Sequence, residues 1–300
     1  CNSYGHEPFM LKVAPEYLDV QFISCTNLNS KFDDLSNTHN AFANIYEGRS
    51  AAGVVAGMKI QELIDSGEIT EDQAVIGYVG AYAYAEVISG FTSFYLGAKS
   101  VCPTVTMEVK YTNSWFDETA EKTQAIALID DGCVLISQHA DSEGAPKACE
   151  EAGVPNIAYN LDTREWGPNT ALISSKINWE PYFEHIITSV ENGTKIEQDF
   201  CKGLKDDVVQ TLGLNDKVAA AGTAEKLDEL KMQIMDGEVK VFDTTTFTVD
   251  GKQLTEYMAD VDTDANFTPD TQVVENGCFM ESTKRSAPYF DVDIDGITLK

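Results

Sequence analysis

Positive charge is scarce in this chain, and several patterns that would define a function are absent. The chain has only 21 Lys and Arg residues but 49 Asp and Glu residues, which gives a formal net charge of −28 at pH 7. This charge argues against binding to nucleic acids and against direct binding to anionic membrane surfaces. No apolar run approaches the roughly 20 residues that a membrane-spanning helix needs. The phosphate loop Gly-x-x-x-x-Gly-Lys, the dinucleotide motif Gly-x-Gly-x-x-Gly and the hydrolase elbow Gly-x-Ser-x-Gly do not occur either.

Cysteine is present, but not in a pattern typical of a cross-linked or zinc-binding protein. The seven cysteines are odd in number, and no two form a C-x-x-C pair. Four lie in or beside predicted strands and helices, where a thiol packs as a small apolar group; they are Cys25, Cys102, Cys133 and Cys149. We therefore expect neither a disulfide framework nor a zinc site. With 300 residues, 43% of them hydrophobic, the chain can form one large domain or two lobes.

Strand and helix signals alternate along most of the chain, most clearly around Val134–Ile136. This short apolar run predicts a strand that is buried on both faces. Before it, Asp117 is placed to cap a helix that ends at Gly132, and after it a second helix ends at Gly153. Such alternation predicts a parallel, doubly wound sheet. Because there are more units than one sheet conveniently holds, we predict two α/β lobes with a cleft between them.

The remaining predicted elements extend this pattern and change character after about residue 236. The predicted strands are Val20–Cys25, Ala74–Val79, Thr104–Tyr111, Asn156–Tyr159, Ala171–Ser174, Val239–Phe242 and Phe247–Val249. The predicted helices are one that ends near Glu16, then His39–Ser66, Glu86–Gly97, Pro181–Gly193 and Thr223–Asp236. Small residues between Ala51 and Gly57 would let the second of these helices approach a sheet closely. Asp250-Gly251 is a hairpin turn signal.

Candidate binding residues follow the predicted strands, where ligands bind in open parallel sheets. Trp115 follows one strand in a loop with Phe116; its indole would either stack on a planar ligand or fill an edge of the core. Gln138 and His139 follow the next buried strand. Asn160 and Asp162 follow a third and would either hydrogen-bond a ligand or form an Asx turn.

Two further features have more than one interpretation. Glu86 would either complement the dipole of the helix that it begins or face the cleft beside Tyr82. Ser137 and His139, with Asp141 nearby, suggest a nucleophile and a base, but nothing in the sequence requires them to meet.

Metal binding is not expected. Asp291–Gly296 resembles the first half of a calcium loop, but the chain ends before the bidentate Glu that such a loop needs. The alternation of Phe290, Val292 and Ile294 predicts an edge strand there instead. The acidic run that starts at Asp260 has Ala and Thr where the calcium loop requires Gly and Glu.

Four sets of segments carry a resemblance to a known family. They are Tyr46–Met58; Ile76–Gly80 with Glu86–Ile88 and Gly97-Ala98; Thr112–Asp117 with Ala127–Gly132; and Gly203–Asp206 with Asp236-Gly237. In this order they resemble the basic membrane protein (BMP) family of bacterial substrate-binding lipoproteins, the purine-nucleoside receptor group that serves ABC importers. The likeness covers roughly residues 1 to 250 and lacks the family's first strand–helix–strand–helix unit.

The resemblance implies a type I periplasmic-binding-protein fold, with two doubly wound α/β lobes joined by a hinge and the ligand between them. By this likeness, the N-terminal lobe would comprise 1–111 and about 176–195, and the C-terminal lobe 112–175 and about 196–250, followed by an acidic extension, 251–300. It implies a solute-binding receptor of an ABC importer, not an enzyme, with a membrane permease as partner and no cofactor. The full-length precursor would be extracytoplasmic and lipid-anchored, although the likeness places Cys1 inside the family's chain rather than at its lipid-bearing end.

The resemblance also assigns site residues. Trp115 takes the place of the family's purine-stacking aromatic residue, and Lys176 lies near the position of its nucleoside-site lysine. Asn160 takes the place of a carboxylate that holds ribose hydroxyls in nucleoside binders. The implied ligand is a purine base such as adenine or a purine nucleoside, and the amide makes the free base worth testing. Tyr4 belongs to a segment that resembles the exit loop of the family's third strand, so we include it among the ligand-binding candidates.

Two other functions remain open on the sequence. A ligand sensor in the cytosol could use the same bilobal fold. A purine nucleoside hydrolase could use His139 or Glu86, which we consider less consistent with the sequence.

Overall fold

The computed structural model describes residues 1, 4–27, 35–261 and 268–300. Its helices are α1 Glu7–Val13, α2 Ile45–Asp65, α3 Ala85–Val101, α4 Glu118–Asp130, α5 Gly144–Ala152, α6 Glu180–Asn192 and α7 Thr223–Met235. Its longer strands are β1 Phe22–Ser24, β2 Thr38–Ala43, β3 Val75–Gly80, β4 Thr106–Tyr111, β5 Leu135–Gln138, β6 Asn156–Tyr159, β7 Ala171–Ile177, β8 Asp199–Lys202 and β9 Val209–Leu212. The C-terminal part adds β10 Met258–Ala259, β11 Thr271–Gln272, β12 Val274–Glu275, β13 Cys278–Phe279 and β14 Ile297–Leu299.

Seven strands form a large sheet in the order β14-β4-β3-β5-β6-β7-β9. All neighbours in this sheet are parallel except β7 and β9. Successive residues of its strands point to opposite faces. Tyr78 and Leu135 therefore join the main hydrophobic core, whereas Val79 and Ile136 join a separate core beneath α4 and α5. The sheet is thus buried on both faces, as a doubly wound sheet requires.

On the main-core side of this sheet, α2 and α3 lie against each other. A Cβ at Gly53 would overlap the backbone carbonyl of Phe94, and one at Gly57 would overlap that of Ala98. The small residues of α2 therefore permit a close helix–helix approach, rather than the helix–sheet approach that we expected from the sequence.

Three strands form a small parallel sheet in the order β1-β2-β8. It has a hydrophobic core of its own, which includes Phe42, Tyr182, Ile186 and Phe200. The helix expected to begin at His39 is wrong in its first part, because the chain forms β2 there and α2 starts only at Ile45. All six residues of β2 are buried between β1 and β8, so pairing on both sides overrides the local helical pattern.

The two sheets divide the chain differently from the expected lobes. Strands on both sides of the expected boundary at residue 111, β3 and β4 before it and β5 to β7 after it, are neighbours in the large sheet. The N-terminal residues contribute β1 and β2 to the small sheet, and β8, which was expected in the C-terminal lobe, completes it. A boundary at residue 111 therefore does not separate the two sheets.

The C-terminal part, which we expected as an extension, adds a strand to the large sheet and side chains to the main core. β14 pairs with β4 at the edge of the large sheet, and Phe290 stacks on Phe242 with ring centroids 4.4 Å apart. The edge strand expected across Phe290, Val292 and Ile294 is wrong, because these side chains are buried in the main core and the strand begins only at Ile297.

The strands expected at Val239–Phe242 and Phe247–Val249 are also not formed. The turn at Asp250-Gly251 is present: both residues have positive φ, and Val249 forms a bridge with Lys252.

All seven cysteines are free thiols. The calcium-like run that starts at Asp260 lies partly outside the described residues, since 262–267 are not among them. In the other calcium-like run, Asp295 accepts a hydrogen bond from the Gly251 backbone at 2.8 Å. Of the helices within the described ranges, none combines the length and apolar character that crossing a membrane requires.

Candidate functional site

The candidate site lies where the strands of the large sheet end. Because β3 to β7 are parallel, their carboxyl ends meet at one edge. The residues after β3 include Tyr82 and Glu86, Trp115 follows β4, His139 follows β5 and Asn160 follows β6. Lys176 lies near the end of β7, opposite Gln210 of β9. The topology therefore brings the predicted residues of five strands to the same edge.

Four aromatic side chains form a cluster at this edge, which we call the aromatic cluster: Tyr4, Tyr82, Tyr84 and Trp115. The ring of Trp115 lies 5.3 Å from that of Tyr82 and 6.1 Å from that of Tyr84, and the two tyrosine rings are stacked at 5.2 Å. Tyr4 lies 6.0 Å from Tyr84. Trp115 is partly exposed and packs against the rim of the main core. The cluster offers flat apolar surface that water still reaches, which suits stacking on a planar ligand.

His139 lies beneath the aromatic cluster and is buried. Its ring lies 6.3 Å from Trp115 and 4.7 Å from Tyr159. Nε2 lies 3.1 Å from Oε1 of Glu86, and Nδ1 lies 2.9 Å from Nη2 of Arg49. Burial, followed by the positive charge of Arg49, lowers the pKa of His139, and the hydrogen bond to Glu86 opposes this shift. His139 is therefore a neutral imidazole at pH 7.

Arg49 was missed by the sequence reasoning. It projects from α2, is fully buried, and donates from Nη1 to the backbone carbonyl of Gln138 at 3.2 Å. Its guanidinium lies over the ring of Tyr159, 3.9 Å from the centroid. One signal could have revealed it, since Arg49 is a lone charge in a helical run of small and apolar residues that should face inward.

Gln138 does not reach the aromatic cluster. Its side chain is buried and accepts a hydrogen bond of 2.8 Å from the amide of Asn156 at the start of β6. Since Gln138 and His139 are adjacent along an extended chain, they point to opposite faces. The ligand contact expected for Gln138 is therefore not supported by this geometry.

The nucleophile–base pair suggested for Ser137 and His139 does not form. The Ser137 hydroxyl donates to the backbone carbonyl of Ile157 at 2.9 Å, and His139 bonds to Glu86 and Arg49 instead. No hydrogen bond links Ser137 to His139 within the part of the chain that the structure describes, so a nucleophile–base pair is missing there.

Asn160 and Asp162 are engaged in local bonds. Asn160 adopts the left-handed conformation, with φ of 61°, and its Oδ1 accepts from the backbone N–H of Ile177 at 3.3 Å. Asp162 caps a short 3₁₀ turn and pairs with Arg164 at 2.6 Å, which lowers the pKa of its carboxyl. The Asx-turn interpretation fits Asp162, whose Oδ1 accepts from the Arg164 backbone, but not Asn160, whose partner lies at the end of β7. Asn160 remains exposed at the sheet edge.

The C-terminal part also packs against α3, the helix that begins beside the aromatic cluster, which no signal in the sequence had indicated. Glu281 is buried and accepts a hydrogen bond from the Ser89 hydroxyl of α3 at 2.6 Å. Burial raises the pKa of Glu281 to about 7. Burial, and then the negative charge of Glu86, raises the pKa of Tyr4; the positive charge of Arg285 opposes this shift, and Glu281 adds a smaller rise. The hydrogen bond from Ser89 joins the C-terminal part to α3, whose first turn carries Glu86.

A cavity of about 680 Å³ lies elsewhere, beside β8 and the C-terminal part. Its walls include Asn44, Asp199, Lys202 and Ser286, and none of the described residues that line it is aromatic. A flat heterocycle would find no stacking partner there, so we assign the candidate site to the aromatic cluster despite the size of this cavity.

The fold and the site at the sheet edge define the class of protein. The chain is similar to a solved ABC transporter solute-binding protein from Aeropyrum pernix K1, with a TM-score of 0.67 and 18% identity, over 80% of this chain and 75% of that one. The fold is therefore the periplasmic-binding-protein type, which confirms the predicted fold class. The family model of PnrA-like ABC transporter substrate-binding proteins, Bmp, matches residues 3–245. The chain belongs to this family, as its sequence motifs predicted.

Two relatives give further comparisons. A purine-binding protein of Brucella abortus is 31% identical over 242 residues, which are 80% of this chain and 64% of that protein. A protein of Haloferax volcanii, described as a candidate ABC transporter glucose-binding protein, is 32% identical over 207 residues, 69% of this chain and 49% of that protein. The chain thus spans from about half to just under two-thirds of the length of these relatives.

Proposed function

We propose that the protein is the solute-binding receptor of an ABC importer and that it binds a purine base at the aromatic cluster. In this proposal the receptor works outside the cytoplasm, is lipid-anchored as the full-length precursor, and delivers its ligand to a membrane permease. No bond is made or broken. Membership of the family and the likeness to the Brucella protein support this function.

The observation that carries the purine proposal is the aromatic cluster. Trp115 and two stacked tyrosines present flat faces at the carboxyl edge of the large sheet. Stacking on one aromatic side chain contributes about 1–3 kcal/mol per base in proteins that bind single-stranded nucleic acid. In a site between lobes, closure about the hinge would cover the second face of the base.

We propose a free base rather than a nucleoside because of Asn160. Its Oδ1 already accepts from Ile177, and an amide has fewer acceptor sites than a carboxylate for two ribose hydroxyls. An amide group can instead donate to a ring nitrogen, so adenine is the first ligand to test. Lys176 remains a candidate contact on this edge, whereas the Asp162 carboxylate pairs with Arg164, and we expect no contact between it and the ligand.

Calorimetric titration of the chain with adenine, adenosine and glucose tests the proposal. We expect adenine to saturate one site and adenosine to bind at least about tenfold more weakly, a difference of about 1.4 kcal/mol. Glucose is included because the Haloferax relative is described as a candidate glucose binder. Saturation by glucose with no response to either purine would overturn the proposal.

Hydrolysis of a nucleoside is the remaining alternative for the same residues. Incubation with adenosine or inosine, followed by chromatography, should show no release of free base. Release that depends on His139 would overturn the assignment as a receptor.

A further inference from the structure

Arg49 is a buried cation directly beneath the candidate site. Its side chain is 0% exposed, and it contacts His139, the Gln138 carbonyl and the Tyr159 ring. A buried charge is costly unless other groups compensate it. None of these three contacts is with a carboxylate. The nearest acid along this path is Glu86, which Arg49 reaches through the imidazole of His139.

The contact with Arg49 determines the protonation of His139. A guanidinium has only donors, so His139 Nδ1, at 2.9 Å from it, must be an acceptor. The Tyr78 hydroxyl lies 3.4 Å from the same nitrogen and is free to rotate, so it can donate as well. The proton of the neutral ring is therefore on Nε2, which donates to Glu86 Oε1 at 3.1 Å.

Glu86 is the end of this chain of hydrogen bonds. It lies in the first turn of α3, where the helix dipole favours a negative charge, and it is 8% exposed. Oε1 accepts from His139, and Oε2 has no hydrogen-bond partner among the residues that the structure describes. The charge of Glu86 acts on Tyr4 and on Asp141, whose backbone N–H donates to the Trp115 carbonyl. Glu86 is two residues from Tyr84 at the start of α3, and it bonds to His139, whose ring lies 6.3 Å from that of Trp115.

We propose that Arg49 is a positioning residue, which holds His139 in the Nε2–H tautomer so that Glu86 presents its second oxygen to an N–H group of the ligand. This inference rests on the proposed function and adds to it a requirement on the ligand. The stacked heterocycle must carry a hydrogen-bond donor, such as a ring N–H or an exocyclic amino group, on the edge that faces Glu86. Arg49 itself does not touch the ligand.

The first test needs neither ligand nor variant. Nitrogen-15 NMR of the histidine rings distinguishes a protonated from an unprotonated ring nitrogen, and the chain has only 4 histidines to assign. We expect His139 to show an unprotonated Nδ1 and a protonated Nε2 at pH 7. A protonated Nδ1 in the ligand-free protein would overturn the proposal.

The second test compares Arg49→Met with Arg49→Lys. Methionine removes the donor to Nδ1, so we expect a mixture of His139 tautomers and an adenine affinity reduced by at least about tenfold, a loss of about 1.4 kcal/mol. Lysine retains one donor, so most of the Nε2–H tautomer and part of the affinity should return. Arg164→Met is the matched control, because Arg164 is an exposed arginine paired with Asp162, and it should change neither readout.

A third variant keeps the proposal testable if Arg49→Met does not fold. Glu86→Gln preserves the shape but replaces the free acceptor with an amide, so adenine affinity should fall about tenfold while the His139 tautomer is retained. Unchanged adenine affinity in Glu86→Gln would overturn the ligand contact of Glu86.

The failure of this inference differs from a failure of the proposed function. If the wild-type protein binds no purine, the proposed function fails, and the wild-type NMR spectrum still decides the role of Arg49. If the wild-type protein binds adenine, but Arg49→Met leaves both the tautomer and the affinity unchanged, the positioning role fails and the purine receptor stands.

Discussion

The two halves of the candidate site differ in what their side chains bind. After β3, β4 and β5, side chains from separate loops contact one another: Tyr82 meets Trp115, and Glu86 meets His139. After β6, Asn160 and Asp162 bond within their own loop or to the end of the neighbouring strand. The parallel sheet brings all of them to one edge, but only the first half has side chains whose partners come from several loops. Position at a strand end is therefore not enough to identify a ligand contact.

The charges of the two halves differ in the same way. Partial desolvation, and then the negative charges of Glu86 and Glu121, raise the pKa of Asp141 to about 6, although part of the residue is open to solvent. Arg164 instead lowers the pKa of Asp162. The first half thus contains a carboxyl group whose ionised form is disfavoured in the folded protein, and the second half contains one whose ionised form is favoured. A carboxyl group whose pKa is raised by its surroundings is common at binding sites, whereas a carboxylate stabilised by a neighbouring arginine is typical of a structural turn.

Trp115→Ala is the change expected to have the largest effect. Removal of the indole should weaken adenine binding more than tenfold, because stacking on the base is lost. Titration calorimetry measures this, with Phe116→Ala as the control, since Phe116 is the adjacent aromatic residue and is 65% exposed. Equal affinity in wild-type protein and Trp115→Ala would remove the first half of the edge from the binding site.

Asn160→Asp should change ligand preference rather than abolish binding. A carboxylate at this position can accept both ribose hydroxyls while still accepting from Ile177, so the adenosine-to-adenine affinity ratio should rise up to about tenfold. Parallel titrations with the two ligands give this ratio. If the affinity ratio does not change, the ligand does not contact residue 160. Only the first half of the edge would then bind the ligand.

Asp141→Asn should change the pH dependence of stability. Because the folded-state pKa of Asp141 is raised from 3.8 to about 6, the protonated form is favoured by folding. Its stabilising contribution is complete below 3.8 and is lost as the pH rises through about 6. The variant should therefore melt at a higher temperature than wild type at pH 7 and show no such advantage at pH 3. Thermal melts at both pH values measure this, and a lower melting temperature at pH 7 would contradict it.

Asp162→Asn should have the smallest effect on stability, and at pH 7 it should destabilise the fold, whereas Asp141→Asn should stabilise it. The lowered pKa means that the pair with Arg164 stabilises the fold above 3.8 and loses this contribution as the pH falls further. The pair is at least one-third exposed on both sides, so solvent screening limits the loss to about 1 kcal/mol or less at pH 7. Chemical denaturation measures the loss, and adenine affinity should not change. A substantial loss of affinity would place Asp162 in contact with the ligand.

Much of the large sheet could be predicted from the sequence because its signals are local. Asp117 accepts from the backbone N–H of Ala120 at 2.9 Å, as its place before α4 predicted. Gly153 and Gly193 end their helices in the left-handed conformation. The helix caps and the short apolar strands fixed the order of elements, and that order put Trp115 and His139 at strand ends.

Other features depend on partners that are distant in sequence. β2 is a strand only because β1 and β8 pair with it on both sides, and residues 239–249 have the apolar character of strands but fill the main core as irregular chain. Gln138 looked available for a ligand, yet its partner is Asn156 on the next strand. None of these outcomes can be read from a window of neighbouring residues.

The amino-acid sequence by itself determined the class of fold, the family and the edge of the sheet at which a ligand should bind, because strand order and helix caps are encoded locally. The tertiary structure alone decided which of the polar residues at that edge bond within their own loops and which are joined across loops. It also revealed the contact of Arg49 with His139, because a residue of α2 meets a residue 90 positions later only after the sheet has formed.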